Sequence, residues 1–201
     1  MIRVLLADDE ELIRVAVAAL LGLEPDLEVV AQAADGRAAV ETARAHRPDV
    51  AVVDLRMPSL DGIEVATELA RLLPSCAVVI LTGQGRPAQL PRALAAGAKG
   101  FLPKGSPGGV LADVIRRVHA GGRYVDPGLA ADALSMPECP LTRRELDVLR
   151  YGDPDVPVTL VARRLNLSPG TVRNHVTAIV AKLGVSTRAE ATEKARDNGW
   201  L

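Results

Sequence analysis

The residues best suited to chemistry are acids that stand at the ends of apolar runs. Asp54 ends the run 50–53, and Asp8 and Asp9 follow the run 4–7. If these runs are neighbouring parallel strands, three carboxylates meet at one edge of a sheet. Like charges so close repel each other, so a cation must compensate them.

Two further polar residues stand at the ends of later apolar runs. Thr82 follows the run 78–81, and Lys104 follows the run 100–103. Ligands of open parallel sheets bind beyond the carboxyl ends of the strands, which is where these side chains would gather. Helix capping explains a single acid of this kind, but it does not explain a hydroxyl and an ammonium at matching strand ends.

Such a pocket would suit phosphoryl transfer. Carboxylates, a backbone carbonyl and water are ligands that Mg²⁺ accepts. A carboxylate beside that cation can act as a nucleophile toward a phosphoryl group and form an aspartyl phosphate. The metal and Lys104 would neutralise charge on the transferring oxygens, and Thr82 could donate a hydrogen bond to one of them.

The elements that must position these residues alternate through the first 122 residues. Short connections between five strand and helix repeats predict a doubly wound, five-stranded parallel sheet that is covered on both faces. The predicted strands cover 2–7, 28–33, 50–54, 77–81 and 99–102, and the predicted helices cover 10–23, 36–47, 61–73, 87–97 and 107–121.

Composition narrows the class of protein. Of the 201 residues, 48% are apolar and only 2% aromatic, which predicts a globular core of Ala, Val and Leu. The sequence has no run of the roughly 18–20 apolar residues that span a bilayer, so we expect no membrane association. We interpret Cys76 and Cys139 as free thiols in a reducing cytoplasm.

Residues 1–122 carry a net charge of −2 and residues 138–201 carry +2, which permits nucleic-acid binding by the second segment.

The first 122 residues resemble the receiver domain of a two-component response regulator. The resemblance rests on four motifs in order: Asp8-Asp9, the Asp-x-x-Met-Pro-x-x-Asp-Gly run 54–62, Thr82-Gly83, and the Ala-Gly-Ala-Lys-Gly-Phe-Leu-Pro-Lys run 96–104. It implies a flavodoxin-like fold. It also implies that Asp54 accepts a phosphoryl group from a partner histidine kinase.

The resemblance assigns roles to the other pocket residues. It implies a magnesium site formed by Asp8 through water, Asp9, Asp54 and the backbone carbonyl of Arg56. Thr82 and Lys104 would bind the phosphoryl group, and Phe101 would be an aromatic switch that turns inward when Thr82 moves. In one departure from the family pattern, Gly105 follows the lysine where many receivers have proline, and Pro103 precedes it.

The remainder of the chain has a different pattern. Residues 123–137 contain Pro127, Gly128 and Pro137 and are predicted to be a linker with at most one short helix. From residue 138 to residue 201 no strand pattern occurs, which predicts an all-helical domain. The predicted helices there cover 142–151, 158–166, 169–183 and 187–198.

The clearest of these helices has a start signal, a stop signal and one apolar face. Ser168 suits the N-cap, Pro169 the first turn, and Gly184 the C-terminal cap. The apolar face consists of Val172, Val176, Ile179 and Leu183. A preceding helix ends in a tight turn at residues 166–167, and such a pair suits insertion into a major groove. An ordinary helical hairpin with a solvated outer face fits the spacing equally well.

Several polar residues of this segment are candidates for contact with double-stranded DNA. Arg173 and Asn174 lie off the apolar face and could read base edges, with Thr177 beside them. Four further cations, Arg163, Arg164, Lys182 and Arg188, could contact phosphates or be solvated.

The sequence motifs favour the DNA-binding alternative. Runs 141–149, 170–176 and 182–185 resemble the LuxR-type helix-turn-helix, and the whole chain is similar to NarL/FixJ-family transcription factors. This resemblance implies homodimerisation on phosphorylation, through either the first and fifth receiver helices or the fourth helix with the fifth strand and helix. One departure is the region 152–160, where Leu160 replaces a usual acid. Asp153 and Asp155 there would repel DNA if they came close.

Two alternative functions differ from this one in how they use Asp54. A phosphohydrolase with Asp54 as nucleophile would typically carry a second acid two residues on, but position 56 is arginine. An orphan regulator would use its receiver as a dimerisation or ligand-binding module without phosphorylation. The complete pocket argues against that reading, whereas Gly105 and the acidic loop leave it open.

Overall fold

The computed structural model describes residues 1–83, 88–135, 139–152 and 156–201. These residues form two compact units, Met1–Leu134 and Ser135–Leu201. Asp153 and Asp155, with their predicted effect on DNA binding, lie outside the described residues, as do Pro137 and the first residue of the predicted helix 87–97.

The first unit is built on a parallel sheet. Its strands are β1 (Ile2–Ala7), β2 (Leu27–Ala33), β3 (Val50–Asp54), β4 (Ala77–Thr82), β5 (Gly100–Pro103) and β6 (Tyr124–Val125). The strand order is β2-β1-β3-β4-β5-β6, and each neighbouring pair is parallel. The five predicted strands are confirmed, and in the described part of the chain a sixth, two-residue strand extends the edge.

Helices cover both faces of this sheet, which confirms the doubly wound architecture. They are α1 (Glu11–Leu21), α2 (Gly36–His46), α3 (Gly62–Leu72), α4 (Gln89–Ala95), α5 (Gly108–His119) and α6 (Pro127–Leu134). One apolar cluster joins the sheet to α2, α3, α4 and α6, and a second joins it to α1 and α5. The central strands β3 and β4 are buried on both sides, which explains their continuous apolar runs.

The segment that the sequence suggested as a linker contributes structure to the first unit. Strand β6 pairs with β5 through Gly100–Tyr124 and Phe101–Val125. Helix α6 then packs on α4, and its Leu129 is buried in the same cluster as Phe101 and Leu90. Residues 124–134 therefore belong to the first unit, and Leu129 is part of its core.

The second unit is helical throughout its described residues. Its helices are α7 (Arg143–Arg150), α8 (Val158–Leu165), α9 (Pro169–Leu183) and α10 (Arg188–Asp197). They agree with the four predicted helices to within one or two residues. The predicted caps of α9 are also confirmed, because the Ser168 hydroxyl accepts from the Thr171 N–H at 3.1 Å and Gly184 is left-handed with φ 63°.

Among the described residues, no helix is both long enough and apolar enough to cross a bilayer. Cys76 and Cys139 are free thiols, as predicted.

Candidate functional site

The predicted acids meet where the strand order reverses. β1 and β3 are neighbours in the sheet although β2 lies between them in the sequence, and this creates a crevice at their carboxyl ends. Asp8, Asp9 and Asp54 each place a carboxylate oxygen in this crevice, and the three oxygens lie within 4.8 Å of one another. Asp8 and Asp54 are buried, whereas Asp9 is exposed.

Lys104 supplies positive charge to this cluster. Its Nζ lies 2.8 Å from Asp8 Oδ2, 3.0 Å from Glu10 Oε1 and 3.3 Å from Asp54 Oδ1. Burial lowers the pKa of Lys104, but hydrogen bonds to Asp8 and Glu10 and the charge of Asp54 outweigh burial, so the net shift is upward. The ammonium therefore stays charged and serves three carboxylates at once.

The pKa of Asp54 is also raised, which for an acid disfavours the charged form. Burial raises the pKa of Asp54, Lys104 lowers it, and the charge of Asp8 raises it again, with a net increase. The Asp54 carboxylate is therefore incompletely compensated by protein groups. An additional cation at this position would relieve the repulsion between the carboxylates.

The backbone around Asp54 is held by close packing and hydrogen bonds. Helix α3 begins with a capping box, in which the Asp61 carboxylate accepts from the Glu64 N–H and Glu64 accepts from the Asp61 N–H, each at 2.8 Å. The following Gly62 lies so near the Asp54 carbonyl that a Cβ would clash with it. Because Gly62 has no side chain, the first turn of α3 can pack against the backbone of Asp54.

Hydrogen bonds also fix the Lys104 loop without a proline after the lysine. The Lys104 N–H donates to the Thr82 carbonyl at 2.9 Å, and the Ser106 N–H closes a turn by donating to the Pro103 carbonyl at 3.1 Å. Gly105 thus lies within an ordinary turn, and Lys104 reaches the acids.

These residues surround a cavity of about 280 Å³. Its walls include the predicted residues Asp9, Asp54, Arg56, Thr82 and Lys104, together with Glu10, Leu55 and Gly83. Thr82 is buried and shares this cavity with Asp54 and Lys104. The structure therefore brings the predicted phosphoacceptor, hydroxyl and ammonium together.

Phe101 lies behind the pocket on β5. Its side chain is completely buried and belongs to the same apolar cluster as Ile80, Leu90 and Leu129. The inward position that the sequence resemblance associates with Thr82 movement is the one present in this structure. Its role as a switch stays a prediction.

The candidate DNA-contacting residues lie on α8 and α9 of the second unit. Arg173, Asn174 and Thr177 are exposed on α9, and Arg163 and Arg164 are exposed near the end of α8. On the opposite side of α9, Val172, Ile179 and Leu183 are buried in the core. Helix α9 therefore presents the predicted base-reading residues outward, and its apolar residues hold it in place.

Lys182 has a partner within the second unit. Its Nζ lies 2.9 Å from Glu145 Oε1 and 2.7 Å from Oε2, and Glu145 is buried. Burial raises the pKa of Glu145, but the hydrogen bonds from Lys182 and Thr142 outweigh burial and lower it. This pair ties the start of α7 to the end of α9, and contact of Lys182 with DNA stays a prediction.

The start of α8 lies in the region 152–160, where the sequence departs from the family pattern. Among the described residues, Pro157 occupies the cap position and α8 has no side-chain cap there. Leu160 is exposed on the first turn. A groove of about 700 Å³ lies between the start of α8 and helix α9, and its walls include Pro157, Arg173, Thr177 and Arg188.

Sequence reasoning missed two acids of these sites. Glu10 directly follows Asp8-Asp9, but its contact with Lys104 joins residues 94 positions apart. Glu145 stands three residues after Thr142, a spacing that signals a capping box, and the structure has that box. The capping signal was legible, whereas the pairing with Lys182 required the tertiary structure.

Comparisons with known families cover both units. Residues 4–116 match the response regulator receiver domain family. Residues 139–195 match the luxR family of bacterial regulatory proteins.

Individual proteins are similar along the entire chain. Transcriptional regulatory protein DesR of Bacillus subtilis (strain 168) is 38% identical over 201 residues, with both chains fully covered. Transcriptional regulatory protein UhpA of Escherichia coli (strain K12) is 37% identical over 200 residues, again with both chains fully covered. The crystal structure of response regulator ChrA, from a heme-sensing two-component system, has 33% identity and a TM-score of 0.61, and the match covers 100% of this chain and 98% of ChrA.

Proposed function

The chain belongs to the transcriptional response regulators that join a receiver domain to a LuxR-type DNA-binding domain, and we propose that phosphorylation of Asp54 by a partner histidine kinase controls its binding to DNA. The observation that carries this proposal is the meeting of Asp8, Asp9 and Asp54 within 4.8 Å beside Lys104. Its relatives are transcriptional regulators, and the proposed phosphoryl transfer is onto its own Asp54 only.

The donor set of the pocket fits Mg²⁺. Carboxylate oxygens from Asp8, Asp9 and Asp54 lie close enough to surround one hard cation, and the Arg56 backbone carbonyl is proposed as a further ligand. When bound, Mg²⁺ would neutralise negative charge on the transferring phosphoryl oxygens. The raised pKa of Asp54 supports this proposal, because it indicates a carboxylate that a cation would stabilise.

In the proposed transfer, an Asp54 carboxylate oxygen forms a bond to the donor's phosphorus as the bond between phosphorus and the donor's leaving atom breaks. Lys104 holds the oxygens of the transferring group electrostatically, and the Thr82 hydroxyl donates a hydrogen bond to one of them. Phosphorylation adds negative charge and acceptor oxygens, so Thr82 and the neighbouring Phe101 are the proposed route by which the change reaches α4 and β5.

Residues 138–201 are the proposed DNA-binding domain. Residues 1–122 are the proposed receiver, and the compact unit that contains them extends through α6 to Leu134. Arg173, Asn174 and Thr177 on α9 would read the major groove of double-stranded DNA. Arg163 and Arg164 would contact the phosphate backbone, and Lys182 could do so only by sharing its charge with Glu145. We place the regulator in the cytoplasm, because chromosomal DNA and the kinase's phosphoryl-donating domain are found there.

A phosphorylation-linked homodimer would let two DNA-binding domains engage two half-sites. Of the two receiver faces that the sequence left open, the structure favours α1. Leu12 on α1 is 83% exposed and Leu23, just after α1, is 79% exposed, with the exposed Val15 and Leu20 between them. Part of the alternative face is already engaged, because α6 packs on α4.

Labelling with radioactive acetyl phosphate tests the proposed function. With Mg²⁺ present, we expect the wild-type protein to take up label and Asp54→Ala to take up none. The matched control is Asp132→Ala, which removes an exposed acid of α6 and should label normally. If the wild-type protein stays unlabelled under these conditions, the phosphoacceptor assignment is wrong.

DNA affinity then distinguishes this function from the orphan alternative. After selection of bound sequences from random DNA, we expect phosphorylation to tighten binding about tenfold or more. Gel filtration should show a dimer under the same conditions, and Leu12→Ser should weaken that dimer while leaving labelling intact. A DNA response that is identical in the wild-type protein and Asp54→Ala would favour the orphan regulator.

A further inference from the structure

Glu10 is a carboxylate of the pocket to which the proposed transfer gives no role. It lies on the loop between β1 and α1, and its N–H donates to Asp8 Oδ1 at 2.9 Å. Its side chain is 61% exposed, yet its Oε1 reaches the Lys104 Nζ at 3.0 Å. Lys104 is only 9% exposed, so Glu10 reaches this ammonium from the solvent side of the cavity.

The contacts of Lys104 leave little capacity for another anion. An ammonium has three hydrogen atoms to donate, and three carboxylates lie within 3.3 Å of Lys104 Nζ. A phosphoryl group on Asp54 would bring new oxygens that require the same ammonium. One existing partner must then release Lys104.

Glu10 is the partner that can leave most easily. Asp8 is buried, and loss of its ammonium partner would leave a desolvated carboxylate. Asp54 is the acceptor itself. Glu10 can return its carboxylate to water without desolvation, because its side chain is largely exposed.

We propose that Glu10 is a positioning residue that competes with the phosphoryl group for Lys104 and so limits how readily Asp54 becomes phosphorylated. This inference rests on the proposed function of Asp54. Until a donor arrives, Glu10 holds Lys104 toward the mouth of the cavity. Glu10 also places a negative charge at the entrance, where it repels anionic donors.

The test replaces Glu10 with its neutral isostere. Glu10→Gln is compared with Glu11→Gln, which removes the same charge from the adjacent, exposed residue in the first turn of α1. With acetyl phosphate and saturating Mg²⁺, the acetyl oxygen–phosphorus bond breaks, acetate leaves and the Asp54 oxygen–phosphorus bond forms. We expect Glu10→Gln to label about five- to tenfold faster than the wild-type protein and Glu11→Gln to stay within about twofold.

Two further measurements separate competition for Lys104 from a general charge effect. At high salt, where the repulsion of anionic donors is screened, the part of the Glu10→Gln advantage that comes from competition for the buried Lys104 should persist. Calorimetry with beryllofluoride and Mg²⁺, a readout without phosphoryl transfer, should show binding about fivefold tighter in Glu10→Gln. In a Lys104→Met background, Glu10→Gln should change beryllofluoride affinity by less than about twofold, because the contested ammonium is gone.

The outcomes are distinguishable. If the wild-type protein labels but Glu10→Gln and Glu11→Gln behave alike, the inference about Glu10 is overturned and the proposed function stands. An equal gain from Glu10→Gln with and without Lys104 would also overturn it. If neither the wild-type protein nor Glu10→Gln accepts label, both the proposed function and this inference fail.

Discussion

The receiver unit (Met1–Leu134) and the DNA-binding unit (Ser135–Leu201) each bury a carboxylate beside a lysine, but the surroundings of the two pairs differ. Asp54 shares Lys104 with Asp8 and Glu10, and its pKa is raised. Glu145 has Lys182 on both oxygens and the Thr142 N–H as well, and its pKa is lowered. One acid is poorly compensated by the protein, and the other is fully paired.

The difference separates a site that awaits a ligand from a site that holds the fold together. Repulsion at Asp54 can be relieved by a cation from solution, so binding there is coupled to receiver stability. Glu145 joins α7 to α9, so its pairing keeps the exposed face of α9 in place. Functional sites commonly contain such uncompensated groups, whereas structural ion pairs are satisfied internally.

Removal of the Glu145 charge should have the largest effect on stability. Glu145→Gln leaves Lys182 without its carboxylate, and we expect the DNA-binding unit to lose about 2–3 kcal/mol in its free energy of unfolding. Urea denaturation followed by fluorescence measures this directly, because the only tryptophan of the chain, Trp200, packs in that unit. Glu193→Gln, on the exposed side of α10, is the control and should change stability by less than about 0.5 kcal/mol. If both variants lost the same free energy of unfolding, Glu145 would not be a structural ion-pair partner, and its contrast with Asp54 would be wrong.

Lowering the pH should remove most of the stability that the Glu145–Lys182 pair contributes. The folded pKa of Glu145 lies below its ordinary value of 4.5, so the ionised pair stabilises the fold above that pH. The contribution is lost as the pH falls through the folded pKa. We therefore expect the gap between the wild-type protein and Glu145→Gln to shrink from about 2–3 kcal/mol at neutral pH to below about 1 kcal/mol near pH 3. Urea denaturation followed by Trp200 fluorescence measures this difference at both pH values. An unchanged difference would contradict the pairing of Glu145 with Lys182.

Magnesium should act on the receiver unit alone. At ten times its dissociation constant, a ligand of the folded state adds about 1.4 kcal/mol to the free energy of unfolding. Hydrogen exchange of peptides from β3 and α3 should slow accordingly, and the Trp200 transition should stay where it is. In Asp54→Asn the slowing should be much smaller, since one of the proposed ligands is neutral. Equal stabilisation of both units would point to binding elsewhere.

The smallest expected effect is a gain in the stability of the receiver unit. Without Mg²⁺, Asp54→Asn should raise receiver stability by about 1 kcal/mol, because the neutral amide ends the repulsion with Asp8. Differential scanning calorimetry would detect the shift in the receiver transition. Asp132→Asn, an exposed acid on α6, should leave it unchanged. If Asp54→Asn instead destabilises the receiver, Lys104 compensates Asp54 as fully as Lys182 compensates Glu145.

The sequence predicted the parts of the receiver that depend on local pattern. Continuous apolar runs located the five strands, and the parallel arrangement then required the acids after β1 and β3 to meet. Strand β6 was missed because two residues, Tyr124 and Val125, are too short for a periodic pattern. Helix α6 was assigned to a linker because Pro127 and Gly128 usually interrupt structure, although Pro127 serves here as its first residue.

Side-chain pairing was the part that the sequence could not provide. The sequence makes Lys182 a candidate for phosphate contact or for solvation, and it gives no sign that the ammonium lies on Glu145. Glu10 adjoins Asp9, but an exposed acid after a strand is ordinary, so the sequence does not indicate its contact with Lys104. Both pairings join residues far apart in the chain, and only the packed fold decides which charge faces which.

The docking of α6 bears on how the receiver can be isolated for study. A fragment cloned to stop at residue 122 would retain Phe101 and Leu90 but would lose Val125 and Leu129, which complete their apolar cluster. Such a fragment would present a bare hydrophobic surface and a new sheet edge at β5, and both promote aggregation during expression. A fragment that ends at Leu134 keeps the cluster closed.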